Sequence, residues 1–69
     1  AAKLDYANAL AAHGDYEPAL EELLAIVRAD RGFGDDAGRK GMLTIFEALG
    51  ADSDLARRFR RELASAIKR

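Results

Sequence analysis

Shifted by 36 residues, the sequence falls on itself: Gly14 meets Gly50, Tyr6 meets Met42, Leu10 meets Phe46, Ala19 meets Leu55, Leu23 meets Phe59 and Val27 meets Leu63. Each glycine separates two segments whose apolar residues recur at helical spacing, so one unit is helix, turn, helix. A single hairpin of this kind leaves an apolar stripe that it cannot cover alone, and a second hairpin stacked on the first covers it. The expected fold is therefore all-α: two antiparallel helical hairpins, four helices, in one domain over residues 1–69. The first unit runs over about 1–33 and a degenerate second unit over about 35–68.

The segment "HGDYEPAL" shows how the first turn is made. The first helix, from Ala2 to His13, places Leu4, Ala7, Leu10 and Ala11 on one face. Gly14 stops it, Asp15 is placed to cap the next helix, and Pro18 falls in that helix's first turn, where a missing amide costs least. The second helix, about Tyr16 to Asp30, gathers Ala19, Leu20, Leu23, Ile26 and Val27. "RGFGDD" reads as a loop with Phe33 folded back as an apolar plug. The third helix, about Asp36 to Leu49, turns Met42, Ile45, Phe46 and Leu49 inward. After Gly50, Asp52 or Ser53 caps a fourth helix with Leu55, Phe59, Leu63, Ala66 and Ile67 on its inner face. Gly38 and Gly41, inside the third helix, cost about 1 kcal/mol each against Ala, and close helix packing is the structural reason to keep them.

Composition narrows the function. A chain of 69 residues supports only a marginal core, so further chain or a partner is expected to add stability; the initial Ala suggests a piece of a longer protein. With no Cys there is no disulfide, thiolate metal site or cysteine nucleophile. Apolar runs are far shorter than a membrane span, so the chain reads as soluble and cytoplasmic. The net charge of -1 hides a gradient: three basic against eight acidic residues over 1–36, and six basic against three acidic over 52–69. A near-neutral chain is a poor general binder of nucleic acid, since that affinity rests on neutralised phosphates.

No catalytic or cofactor-binding set is found. His13, the only imidazole, complements the dipole at the end of the first helix. Glu21 and Glu22 point about 100° apart, Asp35 and Asp36 suit capping, no metal ligands cluster, and "GFGDD" lacks the Lys and preceding strand of a phosphate loop. Tyr6, Tyr16, Phe33, Phe46 and Phe59 fall at core or turn positions and are read as packing. On the fourth helix, Arg57, Arg61 and Lys68 share the centre of the polar face. Arg58 is spaced to pair with Glu62 at i,i+4. This strip is either a solvated face or a docking strip for an acidic partner. The competing function is a helix-turn-helix nucleic-acid reader built on Arg57, Arg58, Arg60 and Arg61.

The first unit, "YANALAAHGDYEPALEELLAIVRAD", resembles a tetratricopeptide repeat in Tyr6, Ala7 and Leu10, in the turn Gly14, Asp15, Tyr16, and in Ala19. "ARKGMLTIFEALG" and "RRFRRELASAI" resemble the C-terminal end of the thioredoxin-like co-chaperones called chaperedoxins, through Phe46, Leu49 and Gly50, then Phe59, Arg60, Arg61, Leu63 and Ala64. The resemblance implies a non-enzymatic protein-binding module with no cofactor. Its implied partners are unfolded client proteins and the bacterial chaperonin, not nucleic acid or membrane. The tetratricopeptide resemblance also implies that Leu4, Asn8, Ala11 and Ala12 lie on the concave, peptide-binding side. Asn8 matches the asparagine of the clamp that some such repeats use for a C-terminal carboxylate, but Leu4 stands where that clamp needs Lys, so no clamp is expected.

Overall fold

The computed structural model describes residues 2–29 and 37–67, with side chains over 5–29 and 37–66. Four helices follow in order: α1 (Ala2–Ala12), α2 (Tyr16–Ala29), α3 (Ala37–Leu49) and α4 (Asp54–Ile67). The described residues contain no strand, as the repeat predicts. The loop with its expected Phe33 plug lies outside the described residues, as does Lys68.

Both hairpin turns are built on a left-handed glycine, at φ 84° for Gly14 and 89° for Gly50. At the first, the Gly14 amide donates to the Ala11 carbonyl (3.0 Å) and the Asp15 amide to the Leu10 carbonyl (2.9 Å). This pair of bonds is the Schellman closure, which satisfies carbonyls that a helix end leaves without partners. The Asp15 carbonyl then accepts from the Ala19 amide at 3.2 Å and opens α2. At the second turn the choice between two caps falls on Ser53, whose hydroxyl oxygen accepts from the Ala56 amide at 3.2 Å. The four amides opening α4 need such a partner, and Ser is among the best residues to supply it.

The core is organised by α2, which touches α1, α3 and α4. All five of its expected inward residues are buried, and so is Leu24. One stripe of a helix with a single neighbour would leave Leu24 at its edge; a helix flanked on two sides buries a wider arc. Met42, Ile45 and Phe46 of α3 and Phe59 and Leu63 of α4 complete the interior, joined by Ala56, a small residue that the helical spacing did not single out. Leu10, Ala11, Tyr16, Leu49, Leu55 and Ala66 are half-buried and pack around it. No described buried polar side chain lacks a hydrogen bond.

Two close approaches fix the stacking. A Cβ on Gly38 would lie 2.9 Å from Val27 Cγ2 and 3.2 Å from the Leu23 carbonyl oxygen; one on Gly41 would lie 3.1 Å from both Leu23 methyls. The α3 glycines therefore do serve helix packing: their missing side chains let the α3 backbone lie on α2. Within the first hairpin, Ala7 and Ala19 are both fully buried, so small residues hold α1 and α2 at close range.

Tyr6 departs from the packing expected of it, at 55% exposed. The reason is position in the stack: α1 is covered by α2 and α3 on one side, and Tyr6 projects from the other. Leu43 is the second exposed large apolar residue, at 40%.

Two substitutions test this packing in urea titrations. Ala19→Leu is expected to overpack the first hairpin and cost about 1 to 3 kcal/mol. Gly38→Ala gains helix propensity, yet its methyl meets a β-branched side chain and a backbone oxygen, neither of which gives way easily. It should therefore destabilise by about 1 kcal/mol or more; an unchanged or raised midpoint would show that α3 is free to shift.

Candidate protein-binding surfaces

The residues singled out as a partner surface fall on two separate faces. On α1, Asn8 and Ala12 are exposed and Ala11 is half-buried against the core, so Asn8 and Ala12 form the open strip and Ala11 its inner margin. Leu4 lies in the first turns of α1, with its side chain outside the described set. Arg57 and Arg61 are exposed on α4. No contact joins α1 and α4, because α2 and α3 stand between them; the two sets cannot form one site around a small ligand.

The geometry of α4 alters the reading of its cations. Arg58 does not pair along the helix with Glu62. Its guanidinium donates instead to Glu17 on α2 at 2.8 Å, while Glu62 accepts from Arg28 of α2 at 3.1 Å. The i,i+4 spacing made an intrahelical pair available, but stacking brings two α2 side chains of complementary charge alongside, and two crossed pairs replace one local pair. Arg57 is held by Asp54 one turn earlier. The Arg58 guanidinium also lies 4.7 Å from the centre of the Phe59 ring, and that of Arg60 lies 5.3 Å from the Phe46 ring, within reach of a cation–π attraction.

Arg61 is thus the arginine of α4 with neither carboxylate nor ring partner among the described residues. Together with Asp54, Arg57, Arg58 and Arg60 it lines an open depression along the helix. Part of the charge gradient in the sequence is spent internally, tying the acidic first hairpin to the basic fourth helix. Arg61 is exposed. The only signal that anticipates the crossed pairs is that gradient itself, and a one-dimensional charge count does not reveal which side chains meet.

Among the described residues, no group of three or more His, Asp or Glu side chains is placed to hold a metal ion. His13 is exposed beside the Gly14 turn. No helix of the described residues is long and apolar enough to cross a membrane.

Two stacked helical hairpins joined at glycine turns define a helical-repeat scaffold. A family model described as tetratricopeptide repeat matches residues 1–67, and the chain belongs to that family. No curated protein and no solved structure matches the chain.

The crossed pairs carry a measurable prediction. Side chains of Arg58 and Glu17 are 48% and 55% exposed, so water screens them strongly. A double-mutant cycle on the two should return a coupling of about 0.2 to 1 kcal/mol that fades as salt rises past physiological strength. A coupling that persists in high salt would mean the contact is packing rather than charge.

Proposed function

We propose that the chain is a non-catalytic protein-binding module, its two hairpins serving as two repeat units of the C-terminal region of a cytoplasmic thioredoxin-like co-chaperone. It engages client proteins through α1 and an acidic surface, such as that of the chaperonin, through α4. Membership of the tetratricopeptide repeat family supports the protein-binding role. The co-chaperone assignment rests on the resemblance of "RRFRRELASAI" and of the α3 ending to that family.

The observation that carries the α4 half is the state of its four arginines. Arg57, Arg58 and Arg60 are oriented by Asp54, Glu17 and Phe46, and Arg61 beside them has neither a carboxylate nor a ring partner among the described residues. Held side chains lose less entropy when a partner arrives than loose ones do. Arg57 has its counter-charge in Asp54, whereas Arg61, one turn on, has none among the described residues. An acidic partner supplies a counter-charge to Arg61 and gains in association rate from the field. On α1, exposed Asn8 and Ala12 offer a polar and small-residue strip suited to an extended chain segment, with Ala11 at its margin; Leu4 belongs to the same proposed strip through the repeat resemblance.

The test is the triple variant Arg57→Glu, Arg61→Glu and Lys68→Glu. Helix content should remain, since Arg57 and Arg61 are exposed, while association with the chaperonin slows by tenfold or more at low salt, on the order of the steering effects known for charged interfaces. Equal binding by parent and variant, or none by either, would reduce the strip to a solvated face. Sequence-selective binding of duplex DNA at about 150 mM salt would replace the whole reading with the nucleic-acid one.

A further inference from the structure

The charge left over on α4 is compact and has a definite size. Within little more than one helical turn, Arg57, Arg58, Arg60 and Arg61 bring four positive charges. The carboxylates that reach them among the described residues are Asp54, on Arg57, and Glu17, on Arg58; Glu62 is taken by Arg28. Four charges against two leave an excess of two, and it sits on the consecutive residues Arg60 and Arg61. Arg60 lies over the Phe46 ring at 5.3 Å, a contact that steadies the guanidinium without using its N–H donors. Arg61 has neither ring nor carboxylate among the described residues. Both line the open depression along the helix, and Arg61 also borders an adjoining one with Arg58, Glu62 and the exposed Ser65.

All four cations are arginines, whose planar fork grips two oxygens of one group at once, as an ammonium does not. A carboxylate brings a single charge, and Arg57 and Arg58 already hold one each. A phosphate monoester brings about -1.5 to -2 at neutral pH together with three acceptor oxygens, which matches the excess of two in one group. We infer that the Arg60 and Arg61 edge of α4 binds a phosphoryl dianion carried on a partner protein, as on a phosphorylated serine or threonine; this deepens the acidic-partner reading of α4 and rests on it. Extended polyanions fit less well. Residues 1–36 carry three basic against eight acidic residues, and Glu17 of that half stands beside the arginines. A duplex or an anionic bilayer laid across α4 would meet like charge at its flank, whereas one phosphoryl group reaches Arg60 and Arg61 alone. A free phosphate ion meets the same two arginines but lacks the chain on either side that would lie along the open depression.

The test follows the backbone and arginine Nε–H resonances of α4 in the isotope-labelled full chain at low salt. The ligands are one glycine-rich and serine-rich peptide in two forms, carrying a phosphoserine or, in its place, two adjacent aspartates, and inorganic phosphate. The phosphoserine form is expected to bind about tenfold or more tighter than either of the others, on the strength of bidentate charge-assisted bonds plus flanking contacts. Arg61→Lys keeps the charge and a high helix propensity. It should weaken the phosphoserine form about tenfold and the aspartate form less than about threefold, because only the fork is lost. Equal affinity for the two peptide forms would overturn the inference and leave the acidic-partner reading of α4 standing, while no binding by any ligand would overturn both. Inorganic phosphate binding as tightly as the phosphopeptide would give the edge to a free ion, and an equal loss on both peptide forms in Arg61→Lys would reduce recognition to charge alone; either result overturns the inference.

Discussion

Everything in this chain hangs on the contact between the backbone of α3 and the side chains of α2. Leu23 and Val27 lie so close to Gly38 and Gly41 that a side chain at position 38 has no room. With the α3 backbone drawn in, Met42, Ile45 and Phe46 reach the interior, and α4 is carried into place beside α2. Without that approach each hairpin would keep an uncovered stripe, and a chain that short buries too small a share of its apolar area to hold a fold alone. The interhelical ion pairs follow from the same contact, since Glu17 and Arg28 reach Arg58 and Glu62 only once the hairpins are stacked.

The division of labour between the two ends of the stack comes from which positions of the repeat are allowed to drift. In α2, Leu24 and Ile26 flank the stripe and are buried; in α4 the same positions are Arg60 and Glu62. Those two changes turn a helix that is covered on two sides into one with a single covered face. The polar side so created is where the candidate basic surface sits. The exposed charge of α4 and its single apolar face are thus set by the same residues.

Much of the architecture was legible because helical spacing and glycine turns are local signals. The four helices, both left-handed glycines, the Ser53 cap among its two candidates, and most inward residues follow from periods and caps that a chain cannot hide. What local spacing missed is relational. Leu24 and Ala56 are buried because of a neighbour, Tyr6 is exposed for want of one, and Arg58 prefers Glu17 to the nearer Glu62. Each of these depends on which helix lies beside which. The candidate surfaces were legible as faces, but their separation by α2 and α3 was not, since the sequence places Asn8 and Arg61 on helices without saying how far apart those helices stand.

Gly38 has a geometric consequence at larger scale. Packed helices ordinarily keep their axes about 8 to 10 Å apart, according to the side chains between them. Removing one methyl at this junction sets that spacing, and with it the small rotation between successive hairpins. In a solenoid the same rotation recurs at every junction, so its curvature is the sum of such local settings. A fraction of an ångström at residue 38 therefore acts as the short arm of a lever, and the direction in which the far end of a longer array points is decided by an atom that is not there.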